Sequence, residues 1–132
     1  MVSYYLNKPI DVNQLSELRK SVGWNRMEAS LRNPKLQHFL SISACEDDNL
    51  IGYVEVISNG VTDAYIQDLM VHPSMQHRGM GTQLMNMTIN EIKKREIYMV
   101  SVIYGEEELK EFYEKFGFTS MLCGQMELRD EE

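Results

Sequence analysis

A short glycine-containing segment in the middle of this chain joins a strand-like run to a helix-like run. The apolar run from Ala64 to Val71 is followed by Gln76-His77-Arg78-Gly79-Met80-Gly81, and helical periodicity begins at Thr82. Glycines let backbone N–H groups come close to a ligand, and the first turn of a helix carries partial positive charge. The order strand, glycine loop, helix therefore predicts an anion cradle suited to a phosphate.

The spacing within this loop distinguishes it from two common nucleotide-binding loops. Leu84 stands where a dinucleotide loop has its third glycine. Thr82-Gln83 stands where a nucleotide-triphosphate loop has Lys-Ser or Lys-Thr. Both loops use those residues to pack against or contact the phosphates, so the segment is a weak match to either kind.

Two separate motifs resemble those of the GNAT acyltransferases. Gln76-x-x-Gly79-x-Gly81 matches the signature Gln/Arg-x-x-Gly-x-Gly/Ala, which in that superfamily holds the pyrophosphate of coenzyme A. The segment Phe112-Tyr113-Glu114-Lys115-Phe116-Gly117-Phe118 is similar to the helix-to-strand signature that follows the loop in the same superfamily. The resemblance covers most of the chain and is clearest from Ile51 to Phe118.

The pattern of apolar residues predicts two helices, three strands joined by hairpin turns, and then alternating helices and strands. At 132 residues the chain is expected to form a single GNAT domain, residues 1–132. The resemblance implies an α/β (α+β) fold with a mixed, mostly antiparallel sheet, splayed between its fourth and fifth strands and flanked by helices. The predicted helices are Asp11–Gly23, Met27–Leu31, Thr82–Lys94 and Glu106–Lys115, and the predicted strands are Phe39–Ala44, Ile51–Ile57, Ala64–Val71, Ile97–Ile103 and Thr119–Leu128.

Composition excludes several classes of partner. The formal net charge is −7, and the longest basic cluster is Lys93-Lys94-Arg95, which argues against a nucleic-acid surface. No apolar run is long enough to span a membrane, so we expect a cytoplasmic protein without a membrane partner. Neither the pair Cys45 and Cys123 nor the pair His72 and His77 has metal-ligand spacing, so we expect reduced thiols and no metal site.

The resemblance implies that acetyl-CoA is the cosubstrate and that two stretches of chain hold it. In the family, backbone groups of the fourth strand bind the pantetheine arm, and one of their N–H groups polarises the thioester carbonyl. Relatives often add an asparagine after the fifth strand, whereas this chain has Tyr104-Gly105-Glu106 there. The cofactor-binding residues implied in this chain are Leu69, Met70 and Val71 in the strand, and Gln76, His77, Arg78, Gly79, Met80, Gly81 and Thr82 in the loop.

Tyr113 is the candidate general acid, because family members carry a tyrosine at this place in the Phe-Tyr-x-x-x-Gly-Phe string. A thiol has a pKa of about 8.5 and a phenol about 10, so a tyrosine beside the sulfur can protonate the departing thiolate. The alternative is that Tyr113 only packs, as its aromatic neighbours Phe112, Phe116 and Phe118 would.

A base is also needed, because an alkyl ammonium must lose a proton before it attacks the thioester. Asp68, Glu55 and Gln67 lie on the predicted strands that flank the site. Strand alternation puts Gln67 and Asp68 on opposite faces unless a bulge intervenes, so Asp68 is the base only if it faces inward, and a water chain is the alternative. Trp24, Glu55 and Tyr65 are candidates to line the acceptor side.

Together these features predict an N-acetyltransferase that moves an acetyl group from acetyl-CoA to a primary amine of a small molecule or peptide. The amine would attack directly in a ternary complex. The alternative is a non-catalytic acyl-CoA-binding sensor or interaction module on the same fold, because a fold does not fix an activity. The sequence leaves the oligomeric state open, and a homodimer is one option because relatives commonly dimerise.

Overall fold

A five-stranded sheet with the strand order β1-β2-β3-β4-β5 organises the computed structural model, which describes residues 1–131. Neighbouring strands from β1 to β4 are antiparallel, and β5 runs parallel to β4. The predicted mixed, mostly antiparallel sheet flanked by helices is thereby confirmed. The strands are β1 (Val2–Leu6), β2 (Leu40–Glu46), β3 (Asn49–Ser58), β4 (Asp63–Val71) and β5 (Met99–Val102), and the helices are α1 (Val12–Ser21), α2 (Glu28–Leu31), α3 (Met80–Lys94) and α4 (Glu108–Glu114), with a 3-10 turn at Pro73–Met75.

The predicted splay is present between β4 and β5. Their ladder joins Asp63–Ile66 of β4 to Met99–Val102 of β5. Within the described residues, the remaining stretch of β4, residues 67–71, has no strand partner on that side. Backbone groups along this open half of β4 are therefore available to a ligand.

The first strand was not predicted, so four strands precede the glycine loop rather than three. In β1 the half-buried Val2 and Tyr4 alternate with the exposed Ser3 and Tyr5, which is the pattern of a half-buried edge strand. Both half-buried side chains pack against the main core. The alternation was present in the sequence, but it extends over too few residues to stand out.

The predicted last strand, Thr119–Leu128, is wrong. Residues 119–131, here called the tail, have no regular secondary structure and cross to α2, where Arg129 and Glu131 both hydrogen-bond to Ser30. The apolar residues of the tail remain in solvent, so no buried face stabilises a strand here. The strongly exposed apolar side chains of the tail are Met121, Leu122, Met126 and Leu128.

Two helices cover opposite faces of the sheet. The main core lies between the sheet and α3, where Leu84, Met85 and Ile92 are buried among strand residues such as Val54 and Ile66. On the other face α1 contributes a smaller core of Leu15 and Leu18 with Tyr53 and Met70. No helix within residues 1–131 is long and apolar enough to cross a membrane.

Gly52 sets how closely α3 approaches the sheet. A methyl group added at Gly52 would lie 3.2 Å from Ala44 Cβ, 3.2 Å from Leu84 Cδ1 and 3.3 Å from Met80 Sδ. Those distances are shorter than ordinary van der Waals contacts, so the missing side chain lets the first turns of α3 pack directly on β3. The packing fixes the helix end that follows the glycine loop.

Candidate active site

The glycine loop turns the chain from the end of β4 into α3. His77 and Gly79 adopt positive φ angles of 65° and 80°, and the helix begins at Met80. The first intrahelical hydrogen bond at this end runs from the Gln83 N–H to the Gly79 carbonyl. The preceding N–H groups of Met80, Gly81 and Thr82 therefore lie outside the helical hydrogen bonds and can donate to an anion.

Side chains of the loop hold it beside β4 and leave its outer surface open. Gln76 Nε2 donates to the Val71 carbonyl at 2.9 Å, which ties the loop to the strand end. His77 and Arg78 are exposed, so their side chains can meet a phosphate in solvent. A methyl added at Gly81 would meet Phe112 Cζ at 3.7 Å, so the aromatic segment of α4 packs against the start of α3.

A β-bulge interrupts β4 opposite β3. Tyr53 is paired with Met70, whereas Glu55 is paired with Gln67, so β4 carries one residue more than β3 in this interval. Asp68 takes up the irregularity with a φ of 57°. Simple alternation would put Gln67 and Asp68 on opposite faces of the sheet. The bulge interrupts that alternation, which is the condition under which both residues can face the same side.

The carboxylate of Asp68 is held by α1. Its Oδ1 lies 3.4 Å from Arg19 Nη1, and burial raises the pKa of Asp68 while Arg19 opposes that rise. Arg19 also donates from Nε to the Asn25 carbonyl at 2.6 Å and from Nη2 to Asn25 Oδ1 at 2.8 Å. The guanidinium carbon lies 5.5 Å from the ring centroid of Trp24, whose side chain is partly exposed. Arg19 thus connects α1, the following loop and the bulge.

Tyr113 is a buried ring with an available hydroxyl. Its ring stacks on Tyr104 and meets Phe112 and Phe118 edge-on. Among residues 1–131 the hydroxyl has no hydrogen-bond partner, yet no buried side-chain oxygen or nitrogen is left unsatisfied, so the hydroxyl is in contact with solvent. Burial raises the pKa of Tyr113, and the neighbouring Tyr65 and Tyr104 raise it further.

The other predicted site residues lie on both faces of the sheet and around Asp68. Leu69 and Val71 pack on the α3 side, whereas Met70 is buried on the α1 side. Tyr65 is half-buried near Asp68 and Cys123, and burial is the main cause of its raised pKa. Tyr65, Asp68 and Tyr113 therefore lie in one region, while Trp24 reaches it only through Arg19.

Glu55 lies on β3, the strand next to β4, and its carboxylate contacts a side chain that the sequence analysis did not identify. Tyr53 Oη donates to Glu55 Oε1 at 2.6 Å, and His38 Nδ1 lies 3.2 Å from Glu55 Oε2. His38 belongs to the segment before β2, distant from Glu55 in sequence and outside any motif. Only the pairing of β2 with β3 brings the two together, so no local pattern could have identified the contact.

The chain is similar in sequence to proteins that are named as acetyltransferases. An N-acetyltransferase ycf52 of Pyropia yezoensis, itself uncharacterised, is 29% identical over 119 residues, which are 85% of this chain and 67% of that protein. Histone acetyltransferase TAP1 of Glycine max is 29% identical over 121 residues, or 83% of this chain and 52% of that protein. The chain therefore spans between half and two thirds of the length of these relatives.

Solved structures share the whole fold. A probable acetyltransferase from meticillin-resistant Staphylococcus aureus superposes with a TM-score of 0.82 at 26% identity, covering 98% of this chain and 100% of that one. A GNAT family acetyltransferase from Streptococcus pneumoniae superposes with a TM-score of 0.81 at 25% identity and covers both chains completely. The model of the acetyltransferase (GNAT) family matches residues 7–118. With its motifs, splayed sheet and family match in agreement, the chain belongs to the GNAT acetyltransferase family.

Proposed function

We propose that this protein transfers an acetyl group from acetyl-CoA to a primary amine of a small molecule or peptide. The observation that carries the proposal is the continuity of two binding elements: the open half of β4 leads, through the glycine loop, to the free N–H groups that begin α3. A thioester arm needs backbone partners along its length, and a pyrophosphate needs a helix N-terminus. One segment of chain, residues 67–82, supplies both.

The residues of the cradle fit acetyl-CoA. The N–H groups of Met80, Gly81 and Thr82 would donate to the pyrophosphate, and the exposed Arg78 adds a positive charge. No atom lies within 4 Å of a methyl group built on Gly79, so the space above the loop is free for a ligand. Backbone groups of Leu69, Met70 and Val71 would hold the pantetheine arm and polarise the thioester carbonyl.

The transfer is a direct attack with Tyr113 as the acid. The amine nitrogen forms a bond to the thioester carbonyl carbon, and the bond between that carbon and sulfur breaks. The thiolate takes the proton of the Tyr113 hydroxyl, which the raised pKa keeps in place until charge develops on sulfur. The acylated nitrogen then gives up its extra proton, and the solvent contact of the Tyr113 hydroxyl lets Tyr113 take up a proton for the next cycle.

The acceptor amine would approach on the side of Tyr65, Asp68 and Glu55. Both carboxylates favour a cation, as does the net charge of −7. Trp24 and Tyr65 supply aromatic surface against which an amine substrate can pack. Asp68, the base expected from the sequence, borders this side with its carboxylate already paired with Arg19.

The first experiment is calorimetric titration of acetyl-CoA into the wild-type protein and into Gly79→Glu. The matched control is Gly60→Glu. Gly60 has a φ of 82° in a turn at the other end of β4, so the substitution there imposes the same backbone strain and adds the same charge. We expect binding to be lost in Gly79→Glu and kept in Gly60→Glu. A wild-type protein that does not bind acetyl-CoA would overturn the proposal.

A non-catalytic acyl-CoA sensor is the second candidate. It is favoured by the ion pair that already occupies Asp68, and by Tyr104-Gly105-Glu106 in place of the asparagine expected from the resemblance. A screen for thiol release over pools of primary amines separates the two functions. An enzyme accelerates release with at least one pool, whereas a sensor binds acetyl-CoA and accelerates none.

A further inference from the structure

Glu55 is a deeply buried carboxylate whose basic partner is a histidine. Its side chain is 6% exposed, and its Oε2 lies 3.2 Å from Nδ1 of His38, whose side chain is 41% exposed. Asp68, by contrast, has a permanent cation in Arg19. Among the described residues Glu55 has no ion pair with an arginine or lysine, so its basic neighbour is an imidazole that reaches solvent.

The third member of this cluster is a fixed hydrogen-bond donor. Burial raises the pKa of Tyr53 far above that of an ordinary phenol, and the charge of Glu55 adds to the effect. Tyr53 therefore remains protonated and always donates to Glu55 Oε1. Because Tyr53 keeps its own proton, a proton gained by this cluster is carried by Glu55 or by the imidazole of His38.

The cluster adjoins the proposed acceptor side. Glu55 is paired with Gln67, the residue before Asp68 in the β4 bulge. The charge of Asp68 also raises the pKa of Tyr53, so the Tyr53 hydroxyl is influenced by both carboxylates. His38 lies on the far side of the cluster and lines a cavity of about 440 Å³ together with Ser41. A proton that enters near β4 can therefore leave through this cavity.

We propose that Glu55 and His38 together accept the proton that the acceptor ammonium must lose, while Asp68 holds the bulge through Arg19. This inference rests on the proposed acetyl transfer. The proton passes from the ammonium nitrogen, directly or through water, to Glu55 and on to His38 Nδ1, which lies 3.2 Å from Glu55 Oε2. His38 accepts it there in the tautomer that carries its own proton on Nε2. The neutral amine then attacks the thioester carbon, the carbon–sulfur bond breaks, and the thiolate takes its proton from Tyr113. The acylated nitrogen gives up its second proton through water to the ionised Tyr113, which restores the hydroxyl. The imidazolium finally releases the gained proton to solvent.

The test compares two small amines as probes. Ethylamine is protonated near neutral pH and must lose a proton before it attacks, whereas hydroxylamine is already neutral and attacks without that step. Thiol release from acetyl-CoA is measured with each probe for the wild type, Glu55→Gln, His38→Ala and Asp68→Asn. Glu96→Gln, an exposed glutamate after α3, is the matched control. Because His38 is partly exposed, His38→Ala keeps the test valid if Glu55→Gln fails to fold.

We expect Glu55→Gln and His38→Ala to slow the ethylamine reaction by about 100-fold or more and to leave the hydroxylamine reaction at the level of Glu96→Gln. Equal losses with both amines would mean a structural role and would overturn the inference. An ethylamine-specific loss in Asp68→Asn alone would assign the base to Asp68 and also overturn it. Both results leave the proposed acetyl transfer standing, whereas a wild type inactive with both amines overturns the two together.

Discussion

The ring of Tyr104 lies against the ring of Tyr113, with centroids 4.9 Å apart and an angle of 18° between the planes. Tyr104 follows β5, so the stack connects the splayed strand to α4. Stacked aromatic pairs contribute about 0.5–1.5 kcal/mol beyond the area they bury. We expect Tyr104→Leu to lower the stability of the domain by about that amount in chemical denaturation. An unchanged midpoint would mean that α4 is held by its other aromatic contacts.

Tyr113→Phe removes only the hydroxyl. The substitution keeps the aromatic packing, and within the described residues it breaks no hydrogen bond. If Tyr113 is the acid, thiol release with an amine should slow by about 100-fold or more. Calorimetric affinity for acetyl-CoA should stay the same. A variant with wild-type turnover would leave Tyr113 as a packing residue.

Asp68→Asn should change how stability depends on pH. Burial raises the pKa of Asp68 in the folded protein above 3.8, so the folded state holds this proton more tightly than the unfolded state. The wild type therefore loses stability as pH rises from about 3.8 through the raised folded pKa, whereas Asp68→Asn does not. We expect the melting temperature of Asp68→Asn relative to wild type to increase across that window.

Thermal unfolding of both proteins over a pH series measures this difference directly. Glu17 and Glu91 have lowered pKa values, but they are present in both proteins and cancel. A relative melting temperature that decreases with rising pH would mean that the ion pair with Arg19 outweighs the burial of Asp68.

Gly52→Ala should destabilise the core. The added methyl would press on Ala44 and Leu84 at 3.2 Å, and overpacking of this kind costs about 1–3 kcal/mol. Gly124→Ala is the control, since its added methyl has no atom within 4 Å. Urea denaturation of both variants gives the comparison, and equal midpoints would show that α3 can move outward freely.

The sequence predicted those elements whose signals are local. The glycine loop, α3 and the strand before the loop follow from glycine placement and periodicity, and the motifs indicated the family. The tail from Thr119 to Leu128 was predicted as a strand because it is rich in apolar residues, but burial depends on a partner that composition does not specify. The bulge at Asp68 depends on the register between β3 and β4, which has no signature in either strand alone.

Candidate site residues differ in the same way. Tyr113 and the loop could be found because a motif marks them, and their roles stay predictions until tested. The contact between Glu55 and His38 joins residues that are neighbours only after β2 and β3 pair. Identifying the residues that line the acceptor side therefore requires the structure of the folded sheet.

Met80 belongs to two parts of the molecule at once: its N–H faces the loop, while its side chain is buried against the sheet at Gly52. The donor groups at the start of α3 are therefore anchored in the interior and cannot shift without disturbing it. A ligand gripped by these amides would bind to the whole cooperative unit, so its binding energy would raise the melting temperature of the entire domain. Ligand binding and global unfolding are then coupled equilibria, and Met80 is the residue that connects the binding amides to the core.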